Sequence, residues 1–159
     1  MVNFLKHHAG NPGRGGHRLA RDASLVLEEA RNKLARLVNA PCPQRMILTH
    51  GCTDALNLAI HGVLRADMRT RCPSTKPHVV TTAIEHNAVL RTLHCYATSD
   101  MITMSVVECD ELGYVSAERL IEECNDCTVL VTLSHASNVL GTIQPIRETI
   151  IRLRELNPD

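Results

Sequence analysis

The sequence contains few aromatic residues, few lysines and no long hydrophobic run. Only 2% of its 159 residues are aromatic, namely Phe4, Tyr96 and Tyr114. The core must therefore be aliphatic, and a surface of stacked rings for single-stranded nucleic acid is not expected. Seventeen basic and 17 acidic residues cancel, so the charge predicts neither nucleic acid nor an anionic membrane as a partner.

The chain also lacks the signals of export and of a disulfide framework. No apolar run approaches the roughly 20 residues needed to cross a bilayer. Met1 to Gly10 has no apolar centre like that of a secretory signal. The seven cysteines, an odd number, are typical of reduced thiols. These features predict a soluble protein of the cytoplasm.

Cys124 and Cys127 form a C-x-x-C, a spacing found in redox pairs and in half of a zinc site. The sequence has no second pair that would complete a zinc site. We favour a structural interpretation, in which the thiols are buried where a helix ends before a strand. No metal site is predicted.

Hydrophobic periodicity predicts strands that alternate with helices along most of the chain. After a loop over His7–His17, we expect strands at Met46–Leu48, His78–Thr82, Ile102–Val107 and Thr128–Leu133, and helices at about Ala23–Asn39, Thr53–Leu64, Asn87–Ala97, Ser116–Glu123 and Ile146–Leu156. A polar connector follows Leu64, and Asp110–Gly113 is a predicted turn. This order indicates an α/β fold, a mainly parallel sheet covered by helices on both faces.

The most informative segment is ILTHGCTDALNLAI, from Ile47 to Ile60, which is typical of a strand, a glycine turn and a helix. In this interpretation Gly51 allows a close turn. Thr53 then places its hydroxyl and its N–H at the helix N-terminus, where amide donors favour an anion such as phosphate. The alternative is an ordinary helix start capped by a threonine.

Two further polar residues follow predicted strands, His86 after the strand ending at Thr82 and Asn138 after the strand ending at Leu133. Because the carboxyl ends of parallel strands share one edge of a sheet, we expect Thr53, His86 and Asn138 to line one cleft. Taken singly, each has another interpretation: His86 as a histidine at a helix start, and Asn138 as a turn residue before Gly141.

Four stretches in this order resemble the class V aminotransferases, which use pyridoxal phosphate, and specifically their cysteine desulfurase and selenocysteine lyase branch. They are GNPGRGGHRLA (10–20), THGCTDALNLAI (49–60), TTAIEHNAVLRTL (81–93) and SHASNVLGTIQPI (134–146). The resemblance implies the three-layer αβα sandwich of a fold type I transferase. It further implies a glycine-rich N-terminal loop at residues 1–17 and part of the large domain at residues 18–159.

The resemblance also assigns roles to individual residues. Gly51, Cys52 and Thr53 would hold the phosphate of pyridoxal 5'-phosphate, partly through backbone N–H groups. His86 would stack on the pyridine ring and move protons in catalysis. Asn138 would reach the phenolic oxygen of the cofactor or the substrate carboxylate. The implied substrate is an amino acid such as cysteine or selenocysteine, and the implied assembly is a homodimer.

The resemblance leaves one element without a counterpart, because relatives form a Schiff base between the cofactor and a lysine. The chain has three lysines, Lys6, Lys33 and Lys76, and none follows a predicted strand at the cofactor edge. We therefore expect a truncated fragment of the large domain, with a complementing chain as a source of the lysine. The alternatives are a non-enzymatic remnant or interaction module that keeps the fold, and a nucleotide-binding domain. The last lacks both G-x-G-x-x-G and G-K-S/T.

Overall fold

A computed structural model describes residues 1–72 and 74–157. Its helices are α1 Val2–His7, α2 Arg18–Leu37, α3 Cys52–Thr70, α4 Asn87–Thr98, α5 Ala117–Glu122 and α6 Ile146–Leu156, and a 3-10 helix spans Pro43–Arg45. Its strands are β1 His78–Thr82, β2 Thr103–Val107 and β3 Thr128–Val131. The chain divides into two compact units, Met1–His50 and Gly51–Asp159. Within the described ranges, no helix is both long and apolar enough to span a membrane.

The first unit is built on α2, whose start is set by His17. The imidazole Nδ1 of His17 accepts a hydrogen bond from the amide of Ala20 at 3.3 Å, which satisfies one of the amides that a helix start leaves without a partner. The loop before it passes close to the helix. A Cβ on Gly10 would lie 2.4 Å from the carbonyl oxygen of Leu19, so this position requires glycine. The predicted loop begins after α1, a short helix that the sequence pattern did not predict.

The predicted strand at Met46–Leu48 is wrong. The segment follows the 3-10 helix and belongs to neither a helix nor a strand. A strand needs a neighbouring strand for its backbone hydrogen bonds, and the sheet comprises β1, β2 and β3. The Met46 carbonyl instead accepts a hydrogen bond from Arg31 Nε at 3.2 Å, and Ile47 is 69% exposed. Apolar sequence alone therefore gave a false strand signal.

The second unit contains a three-stranded parallel sheet in the order β2-β1-β3. The central strand β1 is buried along its whole length, as expected for a parallel strand covered on both faces. All three predicted strands of this region are present, and each is equal to or shorter than its predicted range. The α/β prediction is therefore confirmed.

Helices cover both faces of β1, because its side chains alternate between the faces. On the Val79 side, Ile60 and Leu64 of α3 pack with Val89 and Leu93 of α4. On the opposite side, Val80 packs in a second cluster with Val107 of β2, with Val115 and with Leu120 of α5. Helix α6 packs against α5. The three layers of the predicted sandwich are thus present in this unit, and they place the helix starts at the edge where the strands end.

Candidate active site at the carboxyl edge of the sheet

Helices α3 and α4 lie side by side in parallel, with their N-termini level. The hydroxyl of Thr92 donates to Asn57 Oδ1 at 2.5 Å, and His61 Nδ1 lies 2.7 Å from the hydroxyl oxygen of Tyr96. Both pairs are separated by 35 residues, so the two helices advance together without a shift in register. The same separation relates Gly51 to His86, the N-cap residues of α3 and α4.

This register brings two of the predicted site segments to one place. Helix α4 follows β1 after a short turn, so its start lies at the carboxyl end of that strand. The start of α3 lies beside it, at the spacing of a packed helix pair, roughly 8–10 Å between axes. Gly51, Cys52 and Thr53 therefore share the carboxyl edge of the sheet with His86.

Helix α3 begins at Cys52, one residue earlier than predicted, so Gly51 rather than Thr53 is the N-cap residue. The first helical hydrogen bond runs from the amide of Ala55 to the Gly51 carbonyl at 3.1 Å. The amides of Cys52 and Thr53 precede that bond, in the part of a helix where N–H groups point outward along the axis. The carbonyl of Thr53 accepts from Asn57 Nδ2 at 2.8 Å, which fixes the first turn.

The chain bends at His50 and Gly51, but Gly51 does not adopt a left-handed conformation. Its φ is 177° and its ψ is 175°, an extended conformation that any residue can adopt. A Cβ built on Gly51 meets no atom within 4 Å. Among the described residues, therefore, nothing near Gly51 requires glycine, and the space in front of the helix start is open.

His86 is exposed and has a defined orientation at the start of α4. Its Nδ1 accepts a hydrogen bond from the amide of Ala88 at 3.0 Å, so the neutral ring carries its proton on Nε2. The helix-start interpretation of His86 is correct as local structure. It leaves Nε2 as the ring atom that can donate to a ligand.

Asn138 lies in the loop that follows β3, and its side chain is exposed. The loop is organised by Ser137, whose hydroxyl accepts from the amides of Val139 at 3.3 Å and Leu140 at 3.0 Å. Gly141, with φ of 74°, donates its amide to the Ser137 carbonyl at 2.9 Å. Asn138 is therefore a turn residue, held at the tip of a loop that begins at the carboxyl end of the sheet.

Gln144 anchors this loop, although sequence reasoning did not single it out. It is 3% exposed, and its Oε1 accepts from the amide of Val115 at 2.9 Å. Its Nε2 donates to the Gly113 carbonyl at 2.8 Å and to Thr142 Oγ1 at 3.1 Å. Through these hydrogen bonds, Gln144 connects the loop that contains Asn138 to the turn that precedes α5.

Glu85 is a second residue that sequence reasoning missed. Its Oε2 accepts from the hydroxyl of Ser134 at 3.0 Å, which joins the loop before His86 to the loop before Asn138. Its other oxygen, Oε1, and the hydroxyl of Thr82 are buried and have no hydrogen-bond partner among the described residues. The sequence offered one signal for Glu85, its position directly before His86. The hydrogen-bond partner of Glu85, Ser134, is 49 residues away in sequence and could not be found in this way.

Lys76 lies away from this edge, and Lys33 is paired within the first unit. Lys76 precedes β1, at the opposite end of the strand, and its Nζ lies 2.5 Å from Asp100 Oδ1. Lys33 pairs with Glu29 on α2 at 2.7 Å, and Lys6 lies in α1. A large open cavity of about 1130 Å³ lies along α6; Gly51, Cys52, Thr53, His86 and Asn138 do not line it.

The two thiols of the C-x-x-C have different surroundings. The Cys124 thiol packs against the cluster around Val80 and donates to the Leu120 carbonyl at 3.3 Å. Burial raises its pKa. The Cys127 thiol instead lies beside the guanidinium of Arg71, the residue that follows α3. All seven cysteines are free, and no group of three metal-ligating side chains occurs within residues 1–72 and 74–157.

Comparison with protein families gives a match to the class-V aminotransferase model over residues 1–157. The chain is 35% identical over 149 residues to a cysteine desulfurase IscS of Dictyoglomus turgidum, a match that covers 93% of this chain and 36% of that protein. It is 32% identical over 148 residues to cysteine desulfurase IscS 1 of Archaeoglobus fulgidus, covering 93% and 37%.

Solved structures agree in fold. A NifS-like protein superposes with a TM-score of 0.86 at 27% identity, over 99% of this chain and 41% of its own. A structure described as SspA in complex with cysteine superposes with a TM-score of 0.86 at 28% identity, over 97% and 42%. The chain therefore spans about two fifths of the length of the proteins it matches.

Proposed function

We propose that the carboxyl edge of the sheet forms one wall of a pyridoxal-phosphate site in a cysteine desulfurase-like enzyme. The proposal starts from the family, because the chain belongs to the class V aminotransferases. The family depends on pyridoxal 5'-phosphate. When bound, this cofactor acts as an electron sink that allows bonds at the α-carbon of an amino acid to be broken. The observation that carries the proposal is the level alignment of the α3 and α4 N-termini, which brings Gly51, Cys52 and Thr53 beside His86 and supports a phosphate cradle there.

The start of α3 fits the phosphate. The amides of Cys52 and Thr53 precede the first helical hydrogen bond, and the partial positive charge of a helix N-terminus favours an anion. The open space where a Cβ on Gly51 would lie permits close approach to the backbone. Thr53 adds a hydroxyl on the same exposed turn.

His86 fits the ring of the cofactor. Its side chain is exposed beside the cradle, and the Ala88 amide holds Nδ1, so the imidazole has a fixed orientation when a planar partner arrives. In this proposal the flat face of His86 covers the ring, and Nε2 holds or moves a proton.

Asn138 supplies the second polar contact, to the phenolic oxygen of the cofactor or to the substrate carboxylate. Ser137 and Gln144 hold its loop, which reduces the entropy lost on binding. We propose cysteine or selenocysteine as the substrate of the whole enzyme; of the structural neighbours, SspA is described in complex with cysteine.

Covalent attachment of the cofactor needs a lysine at this edge, and Lys76 lies at the opposite end of β1, where it pairs with Asp100. We propose that further polypeptide supplies this lysine, as a complementing chain, and that the whole enzyme is a homodimer. A cytoplasmic location is proposed on the seven free thiols, which are typical of a reducing compartment.

The test is calorimetric titration of the chain with pyridoxamine 5'-phosphate, which binds without forming a Schiff base and avoids adducts with lysines. Saturable binding is expected, with weaker binding of pyridoxamine, which lacks the phosphate. His86→Ala and Asn138→Ala should each weaken it. Equal affinity for both ligands, or no binding by a folded chain, would reject the proposal and favour a non-enzymatic module that keeps the fold.

A further inference from the structure

We propose that Glu85 is a positioning residue, whose carboxylate holds the loops of His86 and Asn138 at a fixed spacing. The inference rests on the proposed function, because its consequence is a correctly shaped cofactor site. It assigns a role to a residue that touches neither the phosphate cradle nor the ring in that proposal. Glu85 acts through Ser134, with which it shares a hydrogen bond of 3.0 Å.

Three successive hydrogen bonds join β1 to the chain beyond β3, and each lies further from the centre of the sheet. The amide of Thr132 donates to the Val80 carbonyl at 2.9 Å. The hydroxyl of Thr132 then donates to Thr81 Oγ1 at 2.7 Å. The Ser134–Glu85 bond is the outermost, where the backbone ladder has ended.

This outermost bond is placed where it can control the site. Glu85 is directly followed by His86, and Ser134 is four residues before Asn138. The Thr132 bonds fix the strands themselves, but Ser134 and Glu85 lie on the loops. Loss of their bond therefore frees the spacing of the two site residues without dismantling the sheet.

The local chemistry argues against a purely stabilising role for Glu85. Its Oε1 is buried and has no hydrogen-bond partner among the described residues, and the nearby Thr82 hydroxyl has none either. A buried carboxylate oxygen without a donor carries a desolvation cost that a smaller or apolar side chain would avoid. Such local violations are expected at functional sites, where geometry is specified at the expense of stability.

The experiment compares Glu85→Ala, Glu85→Gln, Ser134→Ala and the control Thr132→Val in the full chain. Glutamine keeps an oxygen that can accept from Ser134, so it should restore most of the affinity for pyridoxamine 5'-phosphate that alanine loses. We expect Glu85→Ala and Ser134→Ala each to weaken binding about tenfold, the effect of one hydrogen bond to a charged group. The double variant should lose little more. Thr132→Val should lower stability without a comparable loss of affinity.

A second measurement does not need the cofactor. The side-chain amide resonances of Asn138 in the unliganded chain should shift or broaden in Glu85→Ala and return towards the wild-type position in Glu85→Gln. If wild type fails to bind, the proposed function fails, and the Asn138 resonances alone decide the role of Glu85. If wild type binds but Glu85→Ala binds equally well with unchanged Asn138 resonances, Glu85 is not a positioning residue, and the proposed site stands.

Discussion

The hydroxyl of Thr92 on α4 donates to the side-chain oxygen of Asn57 on α3 at 2.5 Å, and the amide nitrogen of the same Asn57 donates to the Thr53 carbonyl at 2.8 Å. One amide side chain therefore connects the first turn of α3 to the neighbouring helix. Because His86 is the N-cap residue of α4, this connection links the orientation of the first turn of α3, where we propose the phosphate to bind, to the helix that carries the imidazole.

Replacing Asn57 by alanine should both destabilise the chain and weaken pyridoxamine phosphate binding. Two net hydrogen bonds are lost, which costs about 1–2 kcal/mol of unfolding free energy. Urea unfolding and calorimetric titration measure the two effects. Thr92→Val removes the partner hydroxyl, and the double variant should show coupling of roughly 0.5 kcal/mol or more. Thr98→Val, whose hydroxyl bonds only within α4, is the matched control. Strict additivity of Asn57→Ala and Thr92→Val would contradict the connection.

Gly51→Ala should leave the fold intact and reduce affinity for the phosphorylated ligand. The extended backbone of Gly51 accepts any residue, and the added Cβ meets no described atom, so stability should change by less than about 1 kcal/mol. The methyl group would occupy the space through which the phosphate approaches. We expect a loss of affinity of at least about tenfold, or 1.4 kcal/mol.

Gly62→Ala is the control for Gly51→Ala, since Gly62 also lies on α3 with nothing within 4 Å of its built Cβ. Alanine in a helix interior should stabilise the chain by roughly 0.5–1 kcal/mol and leave binding unchanged. Should Gly51→Ala bind as tightly as wild type, the phosphate does not approach the backbone at this position.

His78 should make the stability of the chain fall in mild acid. Burial lowers the pKa of His78 from its ordinary value of 6.5, although the charge of Glu123 opposes this shift. The ring lies 2.8 Å from Thr128 Oγ1 and 3.2 Å from Ser105 Oγ. The unfolded chain therefore takes up a proton at a pH where the folded chain does not. The contribution of neutral His78 to stability is therefore complete above pH 6.5 and is lost as the pH falls below that value.

The measurement for His78 is the urea midpoint from about pH 5 to 8, the range in which histidine titrates. The slope against pH should be smaller in His78→Asn than in wild type. His94→Asn, at an exposed position on α4, should keep the wild-type slope. Identical slopes for wild type and His78→Asn would show that His78 does not couple protonation to folding.

Cysteine alkylation should distinguish an exposed thiol from a buried one. A hydrogen bond from Ser74 lowers the pKa of the exposed Cys72, with Oγ and Sγ 3.1 Å apart. Burial raises the pKa of Cys124. Because the thiolate is the reactive form, iodoacetamide at neutral pH should modify Cys72 well before Cys124, as read by mass spectrometry of peptides.

Ser74→Ala provides the control for the alkylation experiment, because it removes the hydroxyl and should slow the modification of Cys72 alone. Because Cys124 and Cys127 have different surroundings and are both free in the structure, mild oxidation is also expected to leave them unpaired. A Cys124–Cys127 disulfide in the folded protein, or equal labelling rates at Cys72 and Cys124, would contradict the structure.

Helices and strands of the second unit could be predicted because their signals are local. Helix α6 has the bounds that periodicity gave, Ile146–Leu156, and β1 has its predicted bounds, His78–Thr82. The end of α3 was placed too early, since polar residues after Leu64 suggested a connector while the helix continues to Thr70. Arg71 and Asp67, paired at 2.6 Å one turn apart, lie at that end and pair in the manner of helical neighbours.

The segment before α3 shows where local signals are insufficient. Met46–Leu48 is apolar, but an extended segment becomes a strand only when another strand pairs with it, and that pairing is a property of the fold. The conformation of Gly51 likewise needed the structure. The sequence indicates that the chain turns at a glycine, whereas only the backbone angles show that this glycine is extended and that another residue could adopt its conformation.

The sequence by itself determined the α/β architecture and the order of the four family-like stretches, and it proposed Gly51, Cys52, Thr53, His86 and Asn138 as site residues, because periodicity and short motifs are encoded by neighbours along the chain. Tertiary structure decided how these residues are arranged. The 35-residue register of α3 and α4, and the Glu85–Ser134 bond across 49 residues, depend on side chains that meet only after the sheet has formed. Contacts between residues so far apart in sequence depend on how the helices and strands pack together, and the sequence of a single segment does not specify that packing.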